Sequence, residues 1–163
     1  MRGTCVDIEN ELADVAREVG LLEAGVTLVR EAREGTDPAW TWLAVQGLAS
    51  GVEKIYTGCE RIMGLIAAEI DGARIERSES WHASLLKRMS HPFPGVRDAV
   101  ISETCFAALD RLRAFRHRQR NSYGFVLDVG IVLERATQTG PAFEQFRSDV
   151  TALLDRLRAA GRG

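Results

Sequence analysis

The stretch VDIENELADVAREVGLLEAGVTLVREARE, residues 6–34, decides the class of fold. Its apolar residues recur at steps of three and four positions, at Ile8, Leu12, Val15, Val19, Leu22, Val26 and Val29. An α-helix turns about once every 3.6 residues, so this spacing places the apolar side chains on one face. The stretch therefore predicts a long amphipathic helix.

A second helix is predicted after the break at residues 35–38, GTDP. Asp37 is a candidate N-cap, and Pro38 suits the first helical turn. Apolar residues then continue at helical spacing from Ala39 to Asp71. Four glycines interrupt this segment, each costing up to about 1 kcal/mol relative to alanine. Either the helix kinks at them, or they let another helix pack closely. They are Gly47, Gly51, Gly58 and Gly64.

Further helices are predicted after a polar loop at residues 73–80. They span Trp81–Ser90, Ser102–Asn121, Phe125–Thr137 and Phe143–Ala160. The prolines of HPFPG (residues 91–95) separate the first two, and TGP (residues 139–141) separates the last two. No segment shows strand alternation or a hairpin turn. The sequence therefore predicts one all-α domain over residues 1–163, a bundle of five or six helices.

The composition is that of a soluble globular protein. Hydrophobic residues make up 45%, charged residues 27%, and the net charge is −2, which excludes a uniformly basic nucleic-acid binder. No apolar run approaches the length of a bilayer span, and the N-terminus lacks the layout of a signal peptide. We therefore expect a cytoplasmic protein without membrane contact.

The cysteines indicate buried thiols in a reducing compartment. Cys5, Cys59 and Cys105 lie far apart, and an odd number leaves at least one unpaired. No Cys/Cys or Cys/His pair has zinc-ligand spacing. We expect neither a metal nor a cofactor.

Positive charge is concentrated in DRLRAFRHRQRN, residues 110–121, where one acid opposes five arginines. The arginines are Arg111, Arg113, Arg116, Arg118 and Arg120. Guanidinium groups suit phosphate because they stay charged and present a rigid fork of donors. The same pattern also fits a solvated arginine face that complements the helix dipole.

Helical geometry divides this segment into two neighbouring strips. Arg116, Arg120 and Tyr123 share one strip, and His117 and Asn121 share the next. A histidine beside arginines can exchange protons near neutral pH. The segment is therefore a candidate site for phosphate chemistry.

Three segments also occur together in a characteristic order. The first is EKIY, residues 53–56, followed by Glu60; the second is WHASLL, residues 81–86, followed by Met89; the third is FRHRQRNSYGFVLD, residues 115–128. Together they resemble the HepT-like group of the HEPN superfamily, whose signature helix the third segment matches.

The resemblance implies a HEPN-like helical bundle and a homodimer whose signature helices face each other across a cleft. It also implies metal-independent RNA cleavage, with Arg116 as the motif arginine and His117 as the polar residue after it. Arg113, Arg116, Arg118 and Arg120 are then the RNA-binding residues. Such proteins often act as toxins paired with a minimal nucleotidyltransferase antitoxin, which can adenylylate a tyrosine that Tyr123 matches.

The sequence departs from the family at one catalytic position. Asn121 stands where the motif histidine is expected, and asparagine cannot accept and return a proton. In the first hypothesis the protein still cleaves RNA, with His117 moving protons and Asn121 orienting the reacting groups. In the alternative, catalysis has lapsed and the protein binds RNA or a nucleotidyltransferase. A third option is a purely structural partner in a larger assembly.

Three residues outside the basic segment are accessory candidates. Tyr56 and Glu60 are one helical turn apart, so they can reach the basic helix as counter-charges, while core packing explains Tyr56 equally well. His82 can approach the cleft or serve a structural role. Trp40 and Trp42 lie on opposite sides of a helix, so we expect one to face the core and the other to mark a dimer surface.

Overall fold

The computed structural model describes residues 2–32, 37–73, 81–121 and 128–160. They form five α-helices: α1 (Arg2–Glu31), α2 (Pro38–Leu65), α3 (Trp81–Met89), α4 (Glu103–Asn121) and α5 (Val129–Ala160). A π-helical turn, Ile66–Ile70, extends α2. These ranges contain no sheet, only one isolated bridge between Phe93 and Arg97. The all-α prediction is confirmed, and none of the five described helices is long and apolar enough to cross a membrane.

Helices α1 and α2 pack as a close antiparallel pair. Val15 of α1 lies against Gly58, and Leu22 lies against Gly51, so the contacts run in opposite directions along the two helices. A methyl group at Gly58 would overlap the Val15 side chain, and one at Gly51 would lie 2.9 Å from Leu22 Cδ1. Gly51 and Gly58 therefore let α1 and α2 pack closely, which is the second of the two alternatives predicted for the glycines of α2.

Helix α5 completes the core by packing against α1, α2 and α4. Phe143, Phe146 and Val150 are fully buried on its inner face. Each large apolar side chain contributes about 1.5–3 kcal/mol when it is removed from water. This face therefore holds α5 firmly against the antiparallel pair.

The predicted break at TGP is wrong, because α5 runs without interruption through Pro141. A proline inside a helix loses one hydrogen bond and costs about 3 kcal/mol or more. Its neighbours Thr139 and Gly140 are nevertheless buried, and a methyl group at Gly140 would overlap the Glu23 carboxylate of α1. Burial of Thr139, Gly140 and Phe143 outweighs the free-energy cost of Pro141, so the residues before and after the proline belong to one helix.

The start of α2 is as predicted from the sequence, but the positions of its two tryptophans are not. Asp37 Oδ1 accepts a hydrogen bond from the Ala39 amide at 2.6 Å, which caps the helix. Trp40 and Trp42 are 38% and 62% exposed, so the expectation that one faces the core is wrong. The physical reason is that the buried part of α2 begins only at Val45.

The three cysteines are free and buried, as predicted. Burial raises the pKa of the Cys105 thiol to about 12 and also raises the pKa of Cys59. The protonated thiols of these two residues pack as small apolar groups.

A buried ion pair fixes the connection between α3 and α4. Arg97 donates from Nε and Nη2 to the two carboxylate oxygens of Asp71, at 2.6 and 2.8 Å. Its Nη1 donates to the carbonyls of His91 and Asp98. Arg88 Nε donates to Asp71 at 2.9 Å. The cluster therefore ties the end of the π-helical turn to α3 and to the chain that follows it.

Candidate functional site

Three helices bring a glutamate, a histidine and an arginine together. Glu60 lies on α2, His82 in the first turn of α3, and Arg116 on α4. Arg116 Nη1 donates to Glu60 Oε2 at 2.8 Å, and His82 Nδ1 lies 2.5 Å from Glu60 Oε1. The distance between Arg116 Nη1 and His82 Nδ1 is 3.5 Å. Glu60 therefore holds both the imidazole and the guanidinium.

Two further side chains of α2 complete this Glu–His–Arg cluster. Glu53 Oε1 lies 3.6 Å from Arg116 Nε. The guanidinium carbon of Arg116 is 5.9 Å from the centre of the Tyr56 ring. Glu53, Tyr56 and Glu60 follow one another at steps of three and four residues, so they form one stripe on α2. That stripe meets α4 at Arg116.

The cluster is buried at its base and open at His82. The side chains of Glu60 and Arg116 are 4% and 10% exposed, whereas the His82 side chain is 29% exposed. A buried charge is costly unless it is paired, which explains why the guanidinium lies beside two carboxylates. Burial and the negative charge of Glu60 raise the pKa of the Tyr56 hydroxyl, so this residue stays neutral.

The other described candidates on α4 are more exposed than Arg116. Arg113 is half-buried and donates to Asp110 at 2.7 Å. His117 and Arg118 are exposed. Arg116 therefore faces inward, and His117 faces outward, in agreement with their predicted places on neighbouring strips of the helix.

Three predicted site residues fall outside what the structure describes. Helix α4 ends at Asn121, but the side chains of Arg120 and Asn121 are not among those described. Tyr123 lies in the segment 122–127, outside the described residues. Their functional roles stay predictions.

The structure gathers all three accessory candidates, Tyr56, Glu60 and His82, around Arg116. Tyr56 has no solvent exposure, so it packs in the core and also lies beneath the guanidinium. Glu53 was not among the predicted site residues. Its helical spacing from Tyr56 and Glu60 was the available signal, but only helix packing brings it to Arg116.

The arrangement offers proton transfer and charge stabilisation. In the described part of the chain, no group of three His, Cys, Asp or Glu side chains is placed to hold a metal ion. An imidazole held by a carboxylate can move a proton, and a guanidinium can stabilise developing negative charge.

The described helices form an all-α bundle that is consistent with a HEPN-like domain. A model of the HepT-like protein family matches residues 47–157, a range that includes every residue of the Glu–His–Arg cluster. The chain belongs to the HepT-like family, which confirms the resemblance drawn from the three sequence segments. No curated protein and no solved structure matches the chain.

Proposed function

We propose that this protein is a HEPN-type, metal-independent endoribonuclease. The observation that carries the proposal is the convergence of Glu60, His82 and Arg116 beside the exposed basic residues of α4. Membership of the HepT-like family supports it. A basic surface attracts the phosphate backbone of RNA, and the cluster supplies groups for proton transfer and for stabilising charge.

In the proposed reaction, the 2′-hydroxyl oxygen of a ribose attacks the adjacent phosphorus. The bond from phosphorus to the 5′ oxygen of the next nucleotide breaks, which leaves a 2′,3′-cyclic phosphate and a 5′-hydroxyl. Arg116 and Arg120 stabilise the charge of the pentacovalent intermediate, and Asn121 orients the reacting groups. Only 10% of the Arg116 side chain is exposed, so it acts from beneath the surface. Arg113 and Arg118 bind the flanking phosphates.

The proposed biological unit is a cytoplasmic homodimer whose two α4 helices line a shared cleft. Its proposed partner is a minimal nucleotidyltransferase that acts as the antitoxin and transfers an adenylyl group to Tyr123. After incubation with ATP and the cognate nucleotidyltransferase, we expect the intact mass to increase by one adenylyl group, and Tyr123→Phe to show no increase. An unchanged mass of the native chain would remove this step from the proposal.

Replacement of Arg116 by alanine is expected to reduce RNA cleavage by at least about 10²-fold, the usual effect of removing one charge-stabilising donor. The measurement is cleavage of total RNA by purified protein in EDTA, with thermal unfolding recorded for each variant. The matched control is Arg111→Ala, because Arg111 is exposed on the same helix. Equal cleavage by both variants, or cleavage that requires added metal, would contradict the proposal.

A second candidate function is a binding module without turnover. The observation that favours it is Asn121, since a missing acid–base group typically costs about 10²–10⁴ in rate. The discriminating variant is Asn121→His. If the native protein binds RNA without cleaving it and Asn121→His gains cleavage, the protein is a lapsed enzyme. Cleavage by the native protein would exclude this function.

A further inference from the structure

We infer that His82 accepts the proton of the attacking 2′-hydroxyl and that Glu60 positions His82 for this task. The inference rests on the proposed ribonuclease function. His117, which the sequence predicts to transfer protons, lies on the exposed side of α4. His82 instead lies in the cluster itself, with Nδ1 2.5 Å from Glu60 and 3.5 Å from Arg116.

The hydrogen bond to Glu60 decides which nitrogen of His82 is available. A carboxylate only accepts hydrogen bonds, and a guanidinium only donates them. Because Nδ1 is nearer to Glu60 than to Arg116, Nδ1 carries the hydrogen in the neutral ring and donates it to Glu60. The lone pair is then on Nε2, at the other side of the ring. A carboxylate that orients a histidine in this way prepares the second nitrogen to accept a proton.

His82 is also the accessible member of the cluster. Its side chain is 29% exposed, compared with 4% for Glu60 and 10% for Arg116. The Trp81 ring lies beside it, with the ring centres 4.4 Å apart, and three buried residues anchor α3 beneath it. A ribose that approaches from solvent therefore meets the imidazole before the guanidinium.

The proposed step conserves atoms and charge. Nε2 of His82 takes the proton as the 2′ oxygen bonds to phosphorus, and the bond to the 5′ oxygen breaks. The departing oxygen takes a proton from water, and the imidazolium returns its proton to the hydroxide that remains. The protein is then ready for another cycle.

The test is His82→Gln, which retains a donor for Glu60 but cannot take up the proton. We expect this variant to cleave RNA about 10²–10⁴-fold more slowly, with a melting temperature close to that of the native protein. The matched control is His91→Gln, which replaces an exposed histidine just after α3 and should cleave normally. Added imidazole is expected to restore part of the cleavage to His82→Ala and none to Arg116→Ala.

The possible failures of the inference and of the proposed function are distinguishable. Native-like cleavage by His82→Gln, or a loss confined to His117→Gln, would overturn the assignment to His82 while the ribonuclease function stands. If His82→Gln loses cleavage together with stability, absence of imidazole rescue in His82→Ala would equally overturn it. A native protein that cleaves no RNA would overturn the proposed function, and the inference with it.

Discussion

Replacing Asp71 by asparagine is expected to lower the free energy of unfolding by about 3–5 kcal/mol. The Asp71 side chain has no solvent exposure and receives three hydrogen bonds from Arg97 and Arg88. Without its charge, the Arg97 guanidinium, whose side chain is 1% exposed, becomes an uncompensated buried cation. Because small domains are typically stable by about 5–15 kcal/mol, this loss is a large share of the total.

The contribution of Asp71 to the free energy of unfolding depends on pH, and the pKa of its carboxyl gives the direction. Burial alone would raise the pKa of its carboxyl, but the hydrogen bonds and charges of Arg97 and Arg88 outweigh burial and hold the pKa below its ordinary value of 3.8. The folded state therefore binds this proton less readily than the unfolded state does. The stabilisation is complete above the ordinary value and is lost as pH falls through the folded pKa.

Urea unfolding followed by circular dichroism at several pH values measures both effects. The difference between the native protein and Asp71→Asn should be constant near neutral pH and should shrink on acidification below about 4. The control is Arg88→Ala, whose side chain is 39% exposed and whose loss we expect to cost at most about 1 kcal/mol. If Asp71→Asn is as stable as the native protein, or if the difference in unfolding free energy grows in acid, the ion pair does not stabilise the fold.

Replacing Glu60 by leucine is expected to destabilise the protein by about 3–5 kcal/mol, because among the described carboxylates Arg116 then keeps the longer contact to Glu53 at 3.6 Å. His82 loses its carboxylate partner in the same variant. The double variant Glu60→Leu with Arg116→Met removes both buried charges. Apolar replacement of a buried ion pair is often neutral or stabilising, so we expect the double variant to recover most of the loss.

A double-mutant cycle on unfolding free energies measures this coupling. Glu60→Leu, Arg116→Met and the double variant are compared with the native protein under identical conditions. The double variant should be folded and yet cleave no RNA, which separates the stabilising contribution of the pair from its proposed role in catalysis. If the losses of the two single variants are strictly additive, the interaction between Glu60 and Arg116 contributes nothing to stability.

The helices themselves could be predicted wherever a local pattern decides them. Apolar spacing predicted α1 and α2 to within a few residues, and Asp37 marked the start of α2. The local rule failed at Pro141, because burial of Thr139, Gly140 and Phe143 against neighbouring helices outweighed the cost of a proline. The prediction that Trp40 or Trp42 faces the core was also wrong, because the spacing of apolar residues does not show where along a helix the core begins.

The sequence by itself determined that this is an all-α protein with an arginine-rich helix, and its three ordered segments indicated the HepT-like family. Only the tertiary structure decided that Arg116 faces Glu60 and His82 while His117 faces outward. The physical reason is the range of the interactions. Helical periodicity acts between residues three or four positions apart, whereas Glu60 is 22 positions from His82 and 56 from Arg116, and only helix packing brings them together.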